Sequence, residues 1–525
     1  MSSPSNTLRF HPWTTGGCHI SSSRRQLPFL RTRRRRLITA AGAIAAVLVV
    51  ALGGSLLIQS RQNPAAALAT ASASPSSTET ASASPSPYVP KTDVVWNTAV
   101  GQGDQPDQVQ VEQDFVARYN ATNKDNIELW LQWSLPDCAD CTFATYLASS
   151  QVADIFGPGG SYLLADSPDF RLGLNDEIAK NKTDLGAYPP ALLNALKNAA
   201  GQYEGLPYDE YPAFVFYNKD LFAKAGLPDL PTKVGEKYLD HDWTWSELAT
   251  VAKLLTLDSS GHNAIESSFN PSKIEQYGFD YEVYGLRRFG TAFGAGAYVA
   301  SDGKTAQIPP VWEEAWKWYY DAMWTSHFAP TNAERTALGT VVGTTAAAGR
   351  VAMELSWPWQ VGGFGASSSN GQPISKFQRW DMGVLPSNNG VTTDPVDSNM
   401  FVIDKRTKVP DAAYKAMLAI MADPAVRAVD GGLPLDPSQQ AAYLKTLQAG
   451  VDREFAGSPI TWSVLTEMAK YAASPAFDTP MPNYAAAAAD DQAFYTKIQT
   501  KGGLDLDTEI AKFKATLQAD FNAAP

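Results

Sequence analysis

Cysteine and histidine are scarce: three and five residues respectively in 525. A zinc site needs four such ligands near one another, and Cys138 and Cys141 have no further pair beside them. His11 and His19 fall in an arginine-rich N-terminal stretch, and His241-Asp242 alone does not make a triad. No G-x-S-x-G elbow supplies a nucleophile, so hydrolase chemistry of that kind is excluded. Gly157-Pro158-Gly159-Gly160 lacks both the Lys-Ser/Thr of a phosphate-binding loop and dinucleotide-fingerprint spacing, and reads as a tight turn. The carboxylate pair Asp209-Glu210 is a poor acid/base couple, because neighbours in extended chain point to opposite sides. Glu313-Glu314 reads as the charged rim of a helix. No internal repeat is present. These absences predict a chain without catalysis, metal or cofactor.

Acidic residues and lysine are missing from the first 60 positions, which hold eight arginines, although the whole chain carries a net −12. The remainder is therefore strongly acidic, which argues against nucleic acid as a partner. Long hydrophobic runs are also absent, with one exception. Leu37–Ile58 is uncharged, long enough to span a bilayer, and preceded by Arg33-Arg34-Arg35-Arg36. This predicts a basic cytoplasmic tail over 1–36, a transmembrane signal-anchor over 37–59 and export of the rest. Ala67-Leu68-Ala69 offers only a generic cleavage site, so the anchor is expected to stay uncleaved. Arg34-Arg35-Arg36-Leu37-Ile38 also resembles a twin-arginine export signal. Residues 60–90, built of Ala, Ser, Thr and Pro, read as a flexible stalk. Cys18 then stays reduced, whereas Cys138-x-x-Cys141 lies where a disulfide persists. A loop staple is the simpler reading of that pair, a thioredoxin-like redox site the other.

Beyond the stalk the length suits two or three domains. Asp93–Trp96 reads as a strand, Val111, Phe115 and Tyr119 mark one helix face, and Ile127–Leu131 alternates as a second strand. A further strand ends at Phe156. Strands alternating with helices imply an α/β fold with a mainly parallel sheet, its ligands beyond the carboxyl strand ends. The loops to watch are 101–106, 133–137 and 157–162. Gly205–Gly226 organises the rest: a turn at Gly205-Leu206-Pro207, a polar-aromatic cluster Tyr208–Tyr211, a buried strand through Ala213–Tyr217, then a helix capped by Asn218 and closed at Gly226. Thr244-Trp245-Ser246-Glu247 is a capping box, Glu313–Met323 an amphipathic helix with core aromatics, and Asp507 is expected to cap a C-terminal helix presenting Ile510, Phe513, Leu517 and Phe521.

Gly201-Gln202-Tyr203-Glu204-Gly205-Leu206-Pro207-Tyr208 through Phe216-Tyr217-Asn218-Lys219-Asp220-Leu221-Phe222 resembles a block of the extracellular solute-binding proteins of ABC importers, in the sugar-binding, maltose-binding-protein-like class. Further blocks follow in order: the Trp245 helix start, a Tyr277-Gly278-Phe279 strand with an aromatic-rich helix after it (Tyr281, Tyr284, Phe289, Phe293), Ala348–Trp359, Asp381–Pro386, Val396–Ile403 and Gly432–Asp436. The resemblance covers about residues 92–525. Leu52-Gly53-Gly54-Ser55 stands where the family's lipoproteins carry a lipid-bearing cysteine, with Ser in its place. The resemblance implies a two-lobed periplasmic-binding-protein-like fold with three hinge crossings. Lobe 1 would be 91–212 plus 398–435, and lobe 2 would be 213–397 plus 436–525. It implies ligand capture by lobe closure and ABC permease subunits as partners.

Sugars present apolar C–H faces and paired hydroxyls, so a sugar cleft wants Trp and Tyr platforms beside carboxylates, amides and Arg. Tyr208, Tyr211, Trp357 and Trp359 are the candidate platforms; Asp104, Asp209, Glu210, Asp397 and Asn399 the candidate hydroxyl partners. Trp133, Tyr284 and Arg288 complete the set. A cationic or peptide ligand, or a sensing ectodomain, is the alternative the acidic body leaves open.

Overall fold

The computed structural model describes residues 90–98, 106–133, 153–160, 170–198, 200–281, 285–338, 345–360, 379–454, 459–473 and 481–523. The expected span 37–58, residues 60–89 of the stalk, Cys138, Cys141, Asp104 and Tyr284 lie outside them. Among the described residues no helix is long and apolar enough to cross a membrane.

The chain opens with β1 (Thr92–Asn97), α1 (Pro106–Thr122), β2 (Ile127–Gln132) and β3 (Ile155–Gly159). It reaches the hinge through β4 (Leu206–Pro207) and β5 (Asp209–Glu210), and enters a second sheet as β6 (Phe214–Asn218). Then come α2 (Lys219–Ala225), α3 (Trp245–Leu255), β7 (Asp280–Tyr281), α4 (Leu286–Ala292), α5 (Pro310–Trp324), β8 (Met353–Ser356) and β9 (Trp380–Gly383). The chain returns as β10 (Met400–Ile403), α6 (Pro410–Ala422) and α7 (Pro424–Asp430). It crosses once more through β11 (Leu433–Pro434) into α8 (Pro437–Glu454), α9 (Tyr484–Thr500) and α10 (Leu506–Asn522).

Two sheets result, one per lobe. The first has the order β2-β1-β3-β10-β4, the second β7-β8-β6-β9. β1 pairs parallel with β2 and β3, but the returning β10 is antiparallel to both its neighbours, and β6 is antiparallel to β8 and β9. The mainly parallel sheet expected from the strand–helix alternation is therefore a mixed one. The cause is that the chain re-enters each sheet from the other lobe rather than through a helical crossover.

Local signals hold where they are local. Asn218 accepts from the N–H groups of Asp220 and Leu221, and Gly226 closes α2 at φ 71°. Thr244 accepts from Glu247 N at the start of α3. Four readings are corrected. Gly157-Pro158-Gly159 is not a turn but the end of β3, beside β10; a Cβ on Gly157 would lie 2.7 Å from both the Met400 carbonyl and the Phe401 ring, so only glycine allows that approach. Leu206-Pro207 is an edge strand against Met400 and Phe401 rather than a turn. The C-terminal helix is capped by Asp505, two residues before Asp507, because Asp505 accepts from both Thr508 N and Thr508 Oγ1. Tyr281, read as helical, ends the strand β7.

The cores differ in texture. Val94, Ile127, Leu129, Ile155, Phe401 and Met417 fill the first lobe. The second lobe is far richer in rings, with Trp245, Phe289, Trp312, Trp316 and Tyr319 packed together and joined by Phe494, Phe513 and Phe521 from α9 and α10.

Candidate functional site

The chain passes between the sheets three times, and backbone pairing ties the passes together. Tyr208 N donates to Asn399 O (2.8 Å), and Tyr211 N to Asp397 O (2.8 Å). β5 pairs antiparallel with β11, so the first and third crossings form a two-stranded ribbon. Leaving the ribbon, Ala213 N donates to the carboxylate of Asp394 (2.9 Å) before β6 begins.

Around this hinge the structure gathers five of the expected residues. β8 delivers the Trp357-Pro358-Trp359 tip, where the two indoles stack with planes 7° apart and centroids 5.5 Å apart. Tyr211 meets Trp359 edge-on at 5.1 Å. Arg288, on α4, lays its guanidinium 5.1 Å from the Trp357 ring centre and 5.7 Å from that of Trp359. The same guanidinium donates to Asp397 of the second crossing (2.8 Å). Trp359 and Asp397 remain partly exposed, whereas Tyr211, Arg288 and Trp357 are buried, the Nε1 of Trp357 aimed at Pro395 O. Aromatic faces, a fork of donors and a carboxylate thus converge where the lobes meet.

Behind this surface lies a polar layer. Asn399 Nδ2 donates to Tyr211 Oη (2.9 Å) and to Asp430 Oδ2 (3.1 Å). Asp209 Oδ1 accepts from Asn399 N (3.2 Å), and Ser398 Oγ donates to Asp209 O (2.6 Å). Burial and the neighbouring Asp430 carboxyl push Asp209 well above the usual carboxylate range. Glu210, on the opposite face of β5, is 4% exposed, and burial raises it to about 8.

The structure places the remaining candidates elsewhere. Tyr208, expected as a platform, is a core residue of the first lobe, packed edge-on against Phe401 (5.0 Å) with Arg427 4.4 Å over its ring. Asp209 and Glu210 are buried in the hinge rather than displayed to a ligand, because the ribbon with β11 covers them. Trp133, just past β2, is 44% exposed and makes no contact with the cluster that the described residues show. Asp394, Asp430 and Arg427 were not singled out from sequence. Asp430-Gly431-Gly432-Leu433-Pro434, a carboxylate running into a glycine pair at a crossing, was the available signal. A separate cavity of ≈ 580 Å³ lies in the second lobe, lined by Lys273, Glu275, Tyr277, Glu334 and Arg350 among others, none of them part of the hinge cluster.

The profile of bacterial extracellular solute-binding proteins matches residues 160–454, more than half of the chain. The chain belongs to that family. The family consists of non-catalytic binding proteins, in keeping with a site built of rings, a guanidinium and hinge carboxyls. No curated protein sequence matches the chain. Solved structures share the fold at low identity. An ABC substrate-binding protein from Listeria monocytogenes in complex with cycloalternan is 18% identical, with TM-score 0.59 over 82% of this chain and 99% of the other. UgpB from Mycobacterium tuberculosis in complex with glycerophosphocholine is 15% identical, with TM-score 0.55 over 83% and 99%. The maltose/maltodextrin-binding domain MalE from Bdellovibrio bacteriovorus bound to maltotriose is 14% identical, with TM-score 0.54 over 82% and 100%.

Proposed function

We propose that this family member is a membrane-tethered receptor that captures a carbohydrate between its lobes and delivers it to an ABC permease. The observation that carries the reading is the Tyr211–Trp359–Trp357 stack with Arg288 and Asp397 at the hinge. Ring faces suit the C–H faces of a sugar, and the guanidinium and carboxylate suit its hydroxyls. The bound state is one in which both lobes touch the solute, which shifts an open–closed equilibrium toward closure. The sugars held by related structures, cycloalternan and maltotriose among them, support a carbohydrate. With the reading go the lobe divisions at 212/213, 397/398 and 435/436, and a single-pass anchor over 37–59. Alkaline extraction of membranes tests the anchor: the chain stays in the pellet if the span is retained and is released if it is not.

A cationic solute is the second reading. The Trp pair already holds a guanidinium beside Asp397, which is the arrangement that takes a cation. A thermal-shift panel on the full-length chain separates the two, using maltotriose, cycloalternan, glycerophosphocholine and spermidine. A solute held only by the native state raises the melting temperature with its concentration. Carbohydrate binding predicts shifts with the first two. Shifts confined to the last two overturn it in favour of a cation receptor.

A further inference from the structure

The hinge holds more buried acid than a solute site uses, and each crossing contributes. Asp209 of the first crossing is fully buried and lies against Asp430, the last residue of α7 before the third crossing. Gly432 enforces the approach: a Cβ there would sit 2.1 Å from Asp209 Oδ2. Among the described residues Asp209 Oδ2 has no N–H or O–H donor, and a proton shared with Asp430 satisfies it. On the other face of β5, Glu210 sits near Asp394 of the second crossing. Asp394 is fully buried and its Oδ2 likewise lacks a partner.

Compensation is thin. Arg427 faces Asp209 and Asp430, but Nη1 is committed to Tyr208 O (2.7 Å) and the guanidinium to the Tyr208 ring. Tyr208, Tyr211 and Tyr443 are neutral phenols, and Asp397 and Asp423 add only further negative charge around them. Among the described residues no group of three or more His, Cys, Asp or Glu is placed to hold a metal ion. Protons are what remain to neutralise the carboxyls.

We propose that the hinge is a proton-operated joint, in which a proton shared by Asp209 and Asp430 and protons on the buried Glu210 and Asp394 hold the three crossings together and their loss loosens the lobes. Two carboxyls in contact in a dry joint cannot both ionise, and the arrangement gives way where water can reach them. Burial raises all four, Glu210 to about 8, so the folded arrangement prefers the protonated forms and weakens as pH rises toward and past 8. Nothing here depends on the identity of the solute.

The test is a distance between the lobes measured without solute. Ketone-bearing residues replace the exposed Lys124 and Lys514 in the full-length chain, carry spin labels, and are read by pulsed dipolar spectroscopy from pH 5.5 to 8.5. The wild type should shift to a longer, broader distribution with rising pH. Glu210→Gln and Asp430→Asn should each hold the low-pH distribution at pH 8.5, with thermal melts reporting that they fold. A wild-type distribution unchanged across the range overturns the proposal. So does a folded Glu210→Gln variant that follows pH as the wild type does.

Discussion

The second lobe and the hinge both bury carboxylates, and they treat them oppositely. In the second lobe Asp280 on β7 is fully buried yet fully engaged. Arg335 grips it through Nε (3.0 Å) and Nη2 (2.5 Å), and Thr345 Oγ1 donates to it at 2.6 Å. Glu354, on the neighbouring β8, accepts from Ala346 N (2.9 Å) and lies 3.2 Å from the same Thr345 Oγ1. That network pins Arg335, Thr345 and Ala346 to the sheet. At the hinge, Asp209, Glu210, Asp394 and Asp430 have few donors, and only Asp209 and Asp430 share a guanidinium, that of Arg427. Fixed donors make the surroundings of a buried carboxyl rigid. Missing donors leave the same group to titrate, which suits a place that bends.

Breaking the compensated side should have the largest effect. Arg335→Ala strands a buried Asp280 carboxylate, with an expected loss of about 3–5 kcal/mol in denaturant unfolding. Asp491 offers an intermediate case. Tyr298 Oη donates to it (2.7 Å) and Arg287 lies nearby, yet burial still raises it to about 6. A raised carboxyl prefers its protonated form when folded, so stability should fall as pH rises from about 4 through about 6. Asp491→Asn should remove that slope, worth at most about 3 kcal/mol above pH 6. Unfolding curves at pH 4, 5, 6 and 7 check it. A slope that survives the substitution assigns the titration to another group. Thr345→Val is the smallest step, removing one donor from Asp280 while Arg335 remains. About 1–2 kcal/mol should be lost, with no change in pH dependence. A loss as large as that of Arg335→Ala in the same unfolding assay would mean that the hydroxyl, rather than the guanidinium, carries the network.

What the sequence made legible follows the same division between local and long-range physics. Asn218 with Gly226, the Thr244 box, and the Ile510–Phe521 stripe are each written within a few residues, and the structure carries them as read. The ring-rich segment Glu313–Met323 is core as its spacing implied. Gly157-Pro158-Gly159 looks like a turn by composition and becomes a strand because β10, some 240 residues later, pairs with it. Tyr208 and Tyr211 are alike in sequence. The pleat sends one into the first-lobe core and the other, an odd number of residues on and past the β5 ribbon, onto the Trp359 edge. Asp430 escaped notice because its importance comes from Asp209, 221 positions away, and no spacing rule joins them.

The central claim is that the Tyr211–Trp359–Trp357 cluster with Arg288 and Asp397 is where solute binds. Tryptophan-fluorescence titration of the full-length chain with maltotriose, wild type against Trp359→Ala, tests it most directly. Trp359 is partly buried against the second-lobe core, so thermal melts check that the variant still folds at the titration temperature. The account predicts saturable binding that weakens about tenfold or more in the variant, or about 1.4 kcal/mol. Equal affinity in the two proteins, with saturable binding in both, would place the sugar elsewhere and contradict it.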